Sequence, residues 1–148
     1  MRNAVLDGVL DPTRTIQIGI RGSAEYLWEF SYESGRTVIH AGKISAMGIS
    51  AIVEKARPVV ADGPTYLSFD IDSLDPAFAP RHRTPEIGGL TSREALELLR
   101  TKGLNFVGAD LVEVSPQYDS TTNTAHAGAQ MLFEILSLLV FRPAVARR

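Results

Sequence analysis

The sequence predicts an α/β fold with a mainly parallel sheet and flanking helices. Three observations carry that expectation. Segments patterned as strands (residues 15–20, 65–70 and 104–114) alternate with segments of helical spacing. A capping-box signature opens the helix that leads into the third strand. Acidic residues gather where the second and third strands end, the place where parallel sheets bind ligands. The order strand, helix, strand, helix, strand, helix implies right-handed crossovers. With no internal repeat or linker, residues 1–148 are expected to form a single domain.

Residues 4–10 read as a short helical segment, closed by the turn Asp11-Pro12. Residues 15–20 (Thr-Ile-Gln-Ile-Gly-Ile) alternate isoleucine with smaller or polar residues, the period of a strand. A long loop, residues 21–36, carries the single tryptophan, Trp28, with Tyr26, Phe30 and Tyr32 nearby, a grouping that suits a packed surface loop or subunit contact better than a ligand cage. Ile49, Ile52, Val53 and Ala56 fall at helical spacing, and this helix is predicted to end or kink near Pro58, ahead of Gly63. After the strand at 65–70, Thr91 and Glu94 form the capping box, Ala95, Leu98 and Leu99 supply a buried stripe, and Gly103 is placed to stop the helix. Residues 104–114 are nearly continuously apolar, as in a central strand covered on both faces. A long helix rich in Leu, Ala and Met closes the pattern at 122–140.

Composition narrows the function. Net charge is −2, and the 15 basic residues are scattered rather than striped, so nucleic acid is not an expected partner. The absence of cysteine leaves oxygen and imidazole as the available metal ligands. No charged-then-apolar leader opens the chain, and its longest apolar stretch, residues 131–141, is interrupted by Glu134 and Ser137, so no membrane association is expected and a cytoplasmic location is predicted.

The chemistry concentrates in Asp70 and Asp72. One residue apart in an alternating strand, their carboxylates would project the same way, and like charges so close call for a cation. Glu113 ends the following strand and would face the same crevice if the two strands are neighbours. On the residues alone two readings stay open. The cluster holds Mg²⁺ or Mn²⁺, hard cations that take carboxylate oxygen. Alternatively, Asp72 and Asp75 are turn or cap residues ahead of Pro76, and Glu113 pairs with an arginine. Asp110 is expected to be buried in its strand or hydrogen-bonded to backbone. A magnesium-dependent phosphoryl transferase is disfavoured, because no glycine-rich phosphate loop opens a helix.

The run Ser68-Phe69-Asp70-Ile71-Asp72, followed by Leu74-Asp75-Pro76-Ala77-Phe78-Ala79-Pro80, resembles a signature of the manganese-dependent ureohydrolases, which include agmatinases, arginases and guanidino-acid hydrolases. The similarity extends through Thr84-Pro85-Glu86-Ile87-Gly88-Gly89-Leu90-Thr91 and Val112-Glu113-Val114-Ser115-Pro116, and back to residues 16–21. It is closer to agmatinases and guanidino-acid hydrolases than to arginases. The resemblance implies the C-terminal half of the three-layer arginase-like fold and hydrolysis of a guanidino group to urea plus an amine at a dinuclear manganese site. It further implies Asp70 and Asp72 as manganese ligands and Glu113 as the carboxylate that holds a small guanidino substrate, and it gives no residue of this chain a catalytic role of its own.

Two departures shape the expected function. The family's other ligands, histidines and an Asp-x-His-x-Asp motif, are absent from this sequence, and His40 and His126 read as ordinary surface or core residues. Arg81-His82-Arg83 replaces a glycine-rich turn, where glycine would permit positive φ and close approach; His82 is expected to be a solvated loop residue. The expectation is therefore a partial manganese site, weak or absent activity of the chain alone, and association as a homo-oligomer or with a complementing N-terminal half.

Overall fold

The computed structural model describes residues 2–22, 28–80, 85–119 and 121–140. The chain divides into two compact units, Met1–Ala61 and Asp62–Arg148, each built around a parallel strand pair. Both ladders are parallel and helices lie between the strands, so the predicted α/β class is what the molecule adopts.

In the first unit, helix α1 (Arg2–Leu6) is shorter than the expected segment, and Val9 beyond it is exposed. Asp11 accepts hydrogen bonds from the Thr13 amide and hydroxyl, starting a 3-10 turn at Pro12–Arg14; these bonds hold its carboxyl below the usual range. Strand β1 (Ile16–Ile20) follows as predicted. The stretch read as one long loop contains a short helix, α2 (Glu29–Glu33), and is followed by a strand the pattern missed, β2 (Thr37–His40), paired in parallel with β1. Four residues of strand are too few to show a period, which is why β2 escaped notice. Tyr26 lies outside the described residues. Helix α3 (Ala41–Met47) also carried no distinct signal.

Helix α4 (Ile49–Val60) buries Ile49, Ile52, Ala56 and Val60, a spacing of three and four that keeps one face inward. It ends at Val60, two residues past Pro58 and ahead of Gly63, as predicted. Proline there removes one backbone donor. The helix end is satisfied from outside: the Arg14 guanidinium donates to the Val60 carbonyl from Nη2 at 2.7 Å and Nε at 3.3 Å.

The second unit holds strands β3 (Thr65–Asp70) and β4 (Phe106–Val112), hydrogen-bonded in parallel, with Asp70 opposite Val112. Helix α5 (Ser92–Leu99) connects them, and its capping box is formed as predicted: the Glu94 amide donates to the Thr91 hydroxyl oxygen at 3.1 Å and the Thr91 amide to the Glu94 carboxylate at 2.8 Å. β4 is shorter than expected and not covered on both faces, since Phe106 alone is fully buried and Val107 is half exposed. Its continuous apolar run comes from packing against helix α6 (Asn123–Val140) on one side, where Gly128 brings the helix close. A Cβ on Gly128 would stand 3.1 Å from Val114 Cγ2.

Asp119 anchors the start of α6. Burial pushes its carboxyl up, but hydrogen bonds from the Ala125 amide at 3.0 Å and the Thr121 hydroxyl at 3.0 Å outweigh that and hold it below the usual value. The α5 end is tied to α6 by Arg100, whose Nη2 and Nε donate to the Glu134 carboxylate at 2.7 and 3.1 Å; Gln130 Nε2 adds a bond at 3.1 Å.

These bonds, Arg100 foremost, hold the buried Glu134 carboxyl low against the opposing effect of burial. A depressed folded-state pKa contributes stability above the unfolded value that is lost as pH falls through the folded one. Glu134→Gln should therefore melt below the parent at pH 7, by more than Glu54→Gln in the exposed Arg57–Glu54 pair. The Glu134 difference should shrink on acidification below about pH 4, as thermal melts would record.

Candidate functional site

The carboxyl ends of β3 and β4 bring the predicted residues to one end of the second unit. Asp70 is the last residue of β3 and pairs with Val112; Glu113 is the residue immediately after Val112. Parallel pairing without a connecting inversion puts both at the same end of the sheet, as the sequence order required.

Asp72 arrives differently from expectation. Alternation stops at Asp70, because the Asp70 carboxylate accepts the Asp72 amide at 2.8 Å and the chain turns into a 3-10 segment at Ile71–Ser73. Ile71, wholly buried, drives that turn by occupying the core. The position of Asp72 is thus set by a side-chain-capped turn rather than by strand pleat. Asp70 is exposed and Asp72 half-buried.

Glu113 is exposed and has φ 65°, the left-handed region that a non-glycine residue occupies at a cost of about 1 kcal/mol. A residue chosen for stability alone at this turn would be glycine. Glu113→Gly should raise stability by roughly 0.5 kcal/mol, the left-handed penalty less part of glycine's extra unfolded-state entropy. Glu113→Gln keeps the strain and should leave stability unchanged; denaturant unfolding of the two variants separates backbone cost from charge.

The same sheet face carries a hydrogen bond that sequence reasoning did not find. Tyr66, Ser68 and Asp70 alternate along β3 opposite Gly108, Asp110 and Val112. Gly108 leaves room for the Tyr66 ring, and the Tyr66 hydroxyl donates to Asp110 Oδ2 at 3.1 Å. Partial burial and the Asp110 carboxylate together raise the Tyr66 pKa. The partner of Asp110 is therefore the side chain of Tyr66, two residues before its register partner Ser68, and not backbone.

The histidines fall elsewhere. His40 lies in the first unit, its Nε2 2.5 Å from the Tyr32 hydroxyl and its ring 4.7 Å from that of Trp28, a packed aromatic group as the loop composition suggested. His126 is exposed on α6. His82, with Arg81 and Arg83, lies outside the described residues. Among the described residues no three His, Asp or Glu side chains gather as a group able to hold a metal ion. Asp70 and Asp72 offer the hard oxygen donors that manganese accepts, but alone they do not make a dinuclear site.

Comparison with known proteins decides the family. The arginase family model matches residues 1–137. The chain belongs to the arginase family. It is 53% identical to guanidinopropionase of Pseudomonas aeruginosa over 141 residues, covering 93% of this chain and 44% of that protein. Mitochondrial agmatinase of Gallus gallus is 48% identical, with 93% of this chain and 42% of that protein covered. Among solved structures, proclavaminate amidino hydrolase from Streptomyces clavuligerus superposes with a TM-score of 0.88 at 38% identity, over 93% of this chain and 47% of that one. This arginase-family chain thus spans less than half the length of the curated relatives it matches. Among its described residues no helix is long and apolar enough to cross a membrane.

Proposed function

We propose that this chain supplies one part of a guanidino-hydrolase site and is weakly active or inactive alone. In this reading Asp70 and Asp72 hold manganese jointly with ligands from sequence outside this chain, and Glu113 receives the guanidinium of a small substrate of the agmatine or guanidinopropionate type. Residues 1–148 act as one arginase-like domain fragment in the cytoplasm. The observation that carries the proposal is the β3–β4 register, which sets Asp70 and Glu113 at one sheet end inside a family whose named relatives hydrolyse guanidino compounds. A carboxylate paired with a planar guanidinium forms charge-assisted, directional hydrogen bonds, so Glu113 is suited to bind and orient substrate. The strain at Glu113 supports a role other than stability.

The lack of a third ligand among the described residues favours a second reading in the same direction: the chain completes its site with a complementing N-terminal half, or serves as a subunit of an oligomer. Both readings predict the same metal behaviour. Titration calorimetry of the chain with Mn²⁺ should show weak binding and no tight two-ion isotherm, because two carboxylates leave most coordination positions to water. Tight uptake of two manganese ions per chain would contradict the proposal.

A further inference from the structure

Asp75, three residues past Asp72, closes the loop that follows β3. Its Oδ1 accepts the Ala77 amide at 2.9 Å, and its Oδ2 accepts the Gly88 and Gly89 amides at 2.7 and 3.2 Å. The backbone makes the same junction: the Asp75 amide donates to the Leu90 carbonyl at 2.8 Å and the Leu90 amide to the Ser73 carbonyl at 2.9 Å. Leu74 and Leu90, joined in a parallel bridge, are both buried. The approach is so close that a Cβ on Gly89 would lie 2.5 Å from the Asp75 nitrogen. The Ile71–Ser73 turn is thus gripped from both sides, by Asp70 on the Asp72 amide and by the Asp75 junction just beyond Ser73.

We infer that Asp75 is a positioning residue: its carboxylate fixes the turn that carries Asp72, and through that turn the relation of Asp72 to Asp70. The link to metal rests on the function proposed above; the positioning itself does not. An ionised carboxylate is the one side chain of this length that offers acceptors only, as three converging amides demand. Asparagine would turn its own N–H groups toward donors, and alanine would leave the amides without their acceptor. Groups that orient metal ligands from behind typically change metal affinity 10- to 100-fold when removed.

The test uses the full 148-residue chain, isotopically labelled, as parent, Asp75→Ala and Asp75→Asn. Amide exchange reports position, and Mn²⁺-induced line broadening reports ion binding at each carboxylate. In Asp75→Ala, exchange at the Asp72 and Leu90 amides should rise about tenfold, with β3 amides from Tyr66 to Phe69 unchanged. The Mn²⁺ concentration that half-broadens the Asp70 and Asp72 signals should rise about tenfold for both, since one ion held between them broadens both. General loosening would speed exchange along β3 as well, so confinement to the Asp72 and Leu90 amides distinguishes positioning from plain stability. Asp75→Asn should fall between parent and alanine, and it carries the test if the alanine variant does not fold. Unchanged Asp72 exchange in a folded variant, or an equal rise in exchange along β3, would overturn the inference. Faster Asp72 exchange with no broadening of either aspartate in the parent would uphold the positioning and sink the metal reading instead.

Discussion

Gly89→Ala should lower the unfolding free energy by about 3 kcal/mol, the upper end for forcing an extra carbon into a closed contact. The added Cβ would run into the Leu74–Asp75 peptide, with Asp75 N at 2.5 Å, Leu74 C at 2.6 Å and Asp75 Cα at 2.9 Å, none of which can rotate away. Relief requires the Leu74–Leu90 bridge to open, taking two buried leucines and the Asp75 hydrogen bonds with it. The neighbouring glycine is the control. Gly88 has φ +84° and nothing within 4 Å of a Cβ, so Gly88→Ala should cost only the left-handed penalty, about 1 kcal/mol. Urea unfolding of the two variants side by side should show Gly89→Ala the weaker by a factor of about 30 in folding equilibrium constant. Equal losses would mean that the loop is not closed as described.

How legible the fold was depended on whether each element wrote its own signal. The Thr91–Glu94 capping box, the α4 face and the parallel β3–α5–β4 unit were readable because local chemistry and packing agree there. β2 and α3 were not, since four and seven residues carry too little periodicity beside a loop rich in aromatics. α4 ends close to Pro58 as its pattern indicates, but the cap on that end comes from Arg14, 46 residues away, which no local pattern shows. The site divides the same way. Asp70 and Glu113 could be placed from strand ends, but Asp72 could not, because Ile71 turns the chain into the core and the Asp70 side chain caps the turn. Asp75 was readable as a turn residue. Its hold on Gly88 and Gly89 appears only when the loop is closed in space.

The second large effect concerns catalysis, and it follows from the function proposed above. A pair of manganese ions held at the site would lower the pKa of a water and orient it toward a guanidinium carbon, chemistry that would be worth several kcal/mol of transition-state stabilisation, or about 10³-fold or more in rate. On the reading proposed above, Asp70 and Asp72 need further ligands before that chemistry is available. Joined to a segment carrying the missing histidines and an Asp-x-His-x-Asp motif, the chain should gain turnover, and Asp70→Asn in that assembly should remove about 10³-fold of it. The direct measurement is urea release by the purified 148-residue chain supplied with Mn²⁺ and either agmatine or guanidinopropionate. No urea above the metal-only background is the predicted result. Saturable release that disappears in Asp70→Asn would contradict it and show that the chain holds a complete site by itself.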